Sequence, residues 1–230
     1  MKLPFTLLIC CFVSGQCFGQ ASKNPPATPA LDAEIKAANA SCLEEYARTG
    51  GRAHFCNLDG SHNPDGKSVF VWYTHNKGKR VPTAPLFKLR NIKKLLLYPD
   101  RVGAIRLDGP VLFDDDLKGI SGMKGLEQLL ISGEFSNAAL EHLSKLPDLR
   151  TLWIADTRIT GAKLSKLKSL NSLETLHVDS AGLKVENFKE LKGLPNLRFL
   201  EIYNAEEIET ELEKFLPNAS VNQSVPANAR

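Results

Sequence analysis

Residues 149–170 read LRTLWIADTRITGAKLSKLKSL, and two periodicities meet inside that one stretch. From Leu149 to Ile154, the apolar Leu152 and Ile154 alternate with Thr151 and Trp153, the period-two pattern of a short strand with one buried face. Thr160 and Gly161 then read as a cap, and Ile159, Leu164, Leu167 and Leu170 fall at helix-like steps, which predicts a short helical return arm. The same frame of Leu-x-x-Leu-x-Leu/Ile/Val begins at Leu126, Leu149, Leu173 and Leu197, at intervals of 23, 24 and 24 residues. A degenerate copy begins at Val102, with Ile105, Leu107 and Leu112. A constant period of this size is the mark of a stacked solenoid. The apolar side chains of one such unit do not outweigh the entropy of ordering it, so each unit must bury its flanks against its neighbours.

On these residues the chain resembles the leucine-rich repeat proteins, in the variant with a strand and a helix in every turn, as in ribonuclease-inhibitor-like arrays and exported bacterial repeat proteins. The resemblance covers residues 102–216. It implies an α/β fold: a right-handed solenoid of about five strand-helix repeats of 23–24 residues, preceded here by a small N-terminal α+β cap. At the position where the family places Asn, Thr or Cys, this chain has Pro110, Glu134, Thr157, Ala181 and Ala205. Of these only Thr157 fits, so a weak internal hydrogen-bond ladder is expected.

The chain divides into five parts. Residues 1–20 carry Lys2, an apolar run from Leu3 to Val13 and small residues before Ala21, the layout of a secretory signal. The run falls short of the roughly 20 residues that span a bilayer, which disfavours an uncleaved anchor. Residues 21–30 hold Pro25, Pro26 and Pro29 and read as a linker. Residues 31–100 read as the cap: a helix over 31–48, a strand from Ala53 to Leu58, a strand over 69–73, and a helix carrying Leu86, Leu89, Ile92 and Leu96. Residues 101–216 are the repeat domain. Residues 217–230 are polar and aperiodic and read as a disordered tail.

Export predicts location and redox state together. The protein is expected in a secreted, periplasmic or other extracytoplasmic setting. Of the five cysteines, Cys10, Cys11 and Cys17 lie in the signal, leaving Cys42 and Cys56, which an exported chain is expected to pair as a disulfide. Asn39, Asn218 and Asn222 fit the acceptor pattern for glycosylation in a host that has it. The whole chain carries 29 Lys+Arg against 26 Asp+Glu, too near balance for bulk charge to imply nucleic acid.

No motif points to catalysis, a metal or a cofactor. Cys42, His54, Cys56, His62 and His75 lack the tight spacing of a zinc site. Asp114, Asp115 and Asp116 read as an acidic helix start. The chain is therefore expected to be non-enzymatic, and its function to rest on the concave sheet face. In repeat register, the residues expected to line that face are Arg106, Gln128, Leu130, Trp153, His177, Asp179, Phe199, Glu201 and Tyr203. Aromatic residues flanked by charge suit a protein or peptide partner.

Two other readings stay open. Lys77 to Lys94 holds seven bases and no acid, whereas Glu201 to Glu213 holds six acids and no base. That asymmetry allows a structural or envelope-associated role through the charged ends, with weak contact to an anionic surface or head-to-tail self-association. Family resemblance alone would also allow a ubiquitin-ligase-like adaptor, which the signal segment argues against.

Overall fold

A computed structural model describes residues 29–49, 52–56, 68–73, 82–99, 112–155, 157–179, 183–203 and 209–224. They form one sheet of eight strands in strictly sequential order. The strands are β1 (Arg52–Cys56), β2 (Ser68–Tyr73), β3 (Lys94–Pro99), β4 (Gln128–Ser132), β5 (Thr151–Ala155), β6 (Thr175–Asp179), β7 (Phe199–Tyr203) and β8 (Ser220–Ser224). Only β1 and β2 are antiparallel; every later pair is parallel. The helices are α1 (Pro29–Arg48), α2 (Ala139–Leu143), α3 (Val185–Lys189) and α4 (Glu209–Phe215). A parallel sheet needs a crossover between each pair of strands, and among the described residues the return from β4 to β5 carries only α2 and the return from β5 to β6 only a short 3-10 helix. This is the leucine-rich repeat solenoid anticipated from the spacing.

Register follows the leucine frame. Leu129, Leu152, Leu176, Leu200 and Val221 stand side by side on neighbouring strands, as do Ile131, Ile154, Val178 and Ile202. All nine are buried in one continuous core. At the strand entrances a single carbonyl accepts two backbone N–H groups: Glu127 from Arg150 and Thr151, Arg150 from Glu174 and Thr175, Glu174 from Arg198 and Phe199. The repeat is thus pinned by backbone groups, which compensates for the irregular ladder position.

The return arms are short helices as expected, and some of them are wound more tightly than an α-helix. The arm after Gly161 is a 3-10 helix, Leu164–Ser169, rather than an α-helix. Its leucines at 164, 167 and 170 recur every three residues, so they eclipse on one face of a three-per-turn helix and all reach the core. Thr160 does not cap this arm. Its hydroxyl and N–H instead meet the amide group of Asn137, one repeat earlier.

The cap differs from expectation at one place. Residues 86–96 do not form a helix: a 3-10 turn, Ala84–Lys88, is followed by β3. The apolar residues Leu86, Leu89 and Ile92 have helical spacing, yet Leu95 and Leu97 alternate into the core between β2 and β4. Strand partners on both sides override local periodicity. Consequently the sheet position beside β4, assigned to the copy at Val102, belongs to β3. Residues 100–111 lie outside the described residues, as do the signal segment 1–20 and most of the linker. The helix expected over 31–48 forms, starting earlier at Pro29. At the other end, the stretch read as a disordered tail supplies β8, paired with β7 over five residues. Val221 enters the core there, a single apolar residue too sparse to register as a period.

Helix α1 is clamped to the solenoid by Asn39, which is 2% exposed. Its amide donates to Arg90 O at 2.9 Å and accepts from Arg90 N at 2.8 Å. The acceptor pattern at Asn39 is therefore closed in the fold, while Asn218 and Asn222 are exposed. Asn39→Ala is expected to cost about 1–3 kcal/mol, since it leaves two backbone groups without partners; urea unfolding of the variant measures it. Cys42, on the same helix, is a free, half-buried thiol packed against the core. Cys56 ends β1, and its side chain lies outside the described residues. Among the described residues no helix is long and apolar enough to cross a membrane.

Candidate functional site: the concave sheet face

Residues that alternate with the core positions form three columns across the strands. The central column runs Leu96, Leu130, Trp153, His177, Glu201 and Asn222. Beside it run Lys94, Gln128, Thr151, Thr175, Phe199 and Ser220. On the other side Ser132 pairs with Ala155, Asp179 with Tyr203, and Tyr203 with Ser224.

Exposure changes steeply along this face. Leu130 and Ala155 are fully buried and Trp153 is 2% exposed, although none of the three belongs to the main core cluster. Phe199, in contrast, is 51% exposed. The expectation that Leu130 and Trp153 stand open beside the other aromatics is therefore corrected: sequence register assigned their face, but not what lies against it. Gln128 is half-buried, whereas Arg106 and the side chains of Asp179 and Tyr203 lie outside the described residues. The open part of the face is its C-terminal end, formed by Phe199, Glu201 and Asn222 with the edge of His177.

These residues are linked. The rings of Trp153 and His177 stack with centroids 4.5 Å apart and planes 15° from parallel. His177 Nδ1 stands 2.6 Å from Glu201 Oε2, with side chains 14% and 24% exposed. One row therefore carries a buried aromatic ring, a histidine edge and a carboxylate across three adjacent strands. The hydroxyls of Ser132, Thr151 and Thr175 are buried on the same face without hydrogen-bond partners. Sequence reading missed Lys94, which is 1% exposed and opens the second column. The signal that could have found it was the continuous apolar run Leu95, Leu96 and Leu97 that follows it, a strand-like run obscured by the competing helical spacing upstream.

The opposite side of the repeats is laced by ion pairs one period apart: Lys163 with Glu141 at 3.0 Å, Arg150 with Glu174 at 2.6 Å and Lys168 with Glu190 at 3.2 Å. Arg158 pairs likewise with Glu134. The hydrogen bond and charge of Lys163, with Lys166 and Lys145 nearby, hold the Glu141 carboxyl below the ordinary glutamate range. Such exposed pairs fix register more than they add stability. The acidic run is equally structural: both carboxylate oxygens of Asp114 take up Ser136, and Asp116 accepts from Phe113 N. Among the described residues no cluster of His, Cys, Asp or Glu could hold a metal ion.

No family model matches the chain, and no curated protein matches it. Solved structures similar to it include a leucine-rich repeat protein of Leptospira interrogans, 18% identical, covering 61% of this chain and 33% of that one with a TM-score of 0.41. Another is the internalin InlF of Listeria monocytogenes, 11% identical, covering 85% of this chain and 64% of that one with a TM-score of 0.37. The chain thus spans less than two thirds of the length of either.

Proposed function

We propose that the protein is an exported, non-enzymatic interaction scaffold whose partner, a protein or peptide, docks on the C-terminal end of the concave face. The observation that carries this is Phe199, a large apolar side chain 51% exposed on a face whose other described apolar residues, Leu130, Trp153 and Ala155, are buried. An aromatic residue in water beside Glu201 and His177 is a hot-spot composition. Export rests on the sequence of residues 1–20 and predicts oxidised cysteines. Cys42 carries a free thiol in this structure, so the disulfide requires oxidation on export; thiol titration of the denatured, exported protein is expected to find no free thiol at Cys42 or Cys56, and two free thiols would rule the disulfide out.

The docking site is tested with a photocrosslinking residue at position 199, compared with one at Lys166 on the opposite side. The expected result is a discrete crosslinked partner from position 199 alone, lost when Glu201→Lys is added. Equal crosslinking from both positions sinks the reading.

The alternative through charged ends draws less support. In the described part of the basic stretch, Lys88 pairs with Glu45 at 3.0 Å and Lys93 with Glu127 at 2.8 Å. Lys94 is buried. Three of these bases are thus committed within the fold rather than offered to an anionic surface.

A further inference from the structure

We propose that the outer edge of β8 is a second docking site, at which an extended basic segment of a partner protein adds as a further strand. Among the described residues, β7 is the only strand beside β8. The N–H of Ser220 donates to Arg198 O at 2.7 Å. Because strand backbone groups alternate sides, residues 220, 222 and 224 turn to β7, and the N–H and C=O groups of Val221 and Gln223 turn outward.

Sheet edges are ordinarily protected by lysine, proline, a bulge or an inward charge. The strand β8, Ser-Val-Asn-Gln-Ser, has neither a charge nor a proline, and its pairing with β7 is unbroken over all five residues. At the other end of the sheet, β1 carries Arg52 and His54. An unprotected edge is a template for strand addition, in which backbone hydrogen bonds supply affinity and flanking charge selects the partner. Here the flanking charge is acidic on balance, with Arg198 before β7 and Lys214 on α4 as described bases beside it. Residues 201–213 hold six acids and no base. Helix α4, which packs against β8, presents Glu211 and Glu213 to solvent, and Glu201 lies on β7 beside Asn222. These acids favour a segment bearing Lys or Arg. They disfavour a second copy joined through its own β8, which would bring two acidic ends together.

The test uses the full chain and a capped hexapeptide of alternating Lys and Val. Two controls accompany it: the same peptide N-methylated at alternate residues, and an alternating Glu and Val peptide. Binding is read by fluorescence anisotropy, and amide exchange at Val221 and Gln223 by NMR. The Lys-Val peptide is expected to bind, to slow exchange at both amides, and to bind at least about tenfold more tightly than either control. Gln223→Pro should abolish binding while leaving the β7 ladder intact, since proline is tolerated where the N–H faces outward. Glu211→Lys with Glu213→Lys, both at exposed positions, should weaken the basic peptide and strengthen the acidic one. Equal binding of the N-methylated or the acidic peptide overturns the proposal. So does self-association that protects the same two amides without peptide, which would assign the edge to a second copy. The crosslink from position 199 does not require this edge, so either reading can fail alone.

Discussion

Trp153→Ala is expected to destabilise the protein by about 3–5 kcal/mol, the range for removing a large aromatic side chain from a packed site. Among the described residues Trp153 heads the largest fully buried side chains, and its ring is stacked on His177. Its removal leaves a cavity on the concave side and frees His177 from its stacking partner. Phe199→Ala, two strands away, removes a side chain already half in water and is expected to stay within about 0.5 kcal/mol of the parent. Denaturant unfolding of the two variants side by side makes the comparison. A Trp153→Ala cost below that of Phe199→Ala would contradict the burial described for this face. The contrast also separates stability from recognition: Trp153 supports the face, whereas Phe199 is available to a partner.

Gly161→Ala is expected to cost about 2–5 kcal/mol from two additive sources. The backbone there has φ of +80°, where a side chain is strained by about 1–2 kcal/mol. A Cβ would also stand 2.5 Å from Asn187 Cβ and Cγ and 2.8 Å from Leu183 Cδ2. Asn187 cannot swing away freely, because its Oδ1 accepts Lys184 N at 2.8 Å at the start of α3. Overpacking of this kind adds about 1–3 kcal/mol. Gly193→Ala is the control: its Cβ would meet only the flexible Lys168 side chain, at 3.3 Å or more. A thermal melt should show a marked fall for the first variant and little change for the second.

The repeat was legible because its two requirements, a core residue every second position in the strand and a leucine every third in the return arm, recur at one spacing from Leu126 to Leu216. What escaped the sequence was decided by partners rather than by local pattern. β3 was read as helix because Leu86, Leu89 and Ile92 have helical spacing, while the pairing that makes Lys94–Pro99 a strand comes from residues more than twenty positions away on either side. β8 carries one core residue, Val221, and owes its conformation to β7. For the candidate site, sequence placed Trp153 and Phe199 on the same face correctly. It could not distinguish their exposure, because register says which way a side chain points and nothing about what lies over it.

The sequential strand order has a consequence for how the molecule comes apart. Among the described residues each strand bonds only to its neighbours in the chain, so no strand pairing ties one end of the sheet directly to the other. Cooperativity must pass from unit to unit, and loss of structure can begin at an end while the middle persists. The two ends are unequal: α1 and the antiparallel β1 and β2 close one, whereas α4 and β8 finish the other. Fraying should start from an end, and the proposed docking edge of β8 belongs to one of the two parts of the fold where opening can begin.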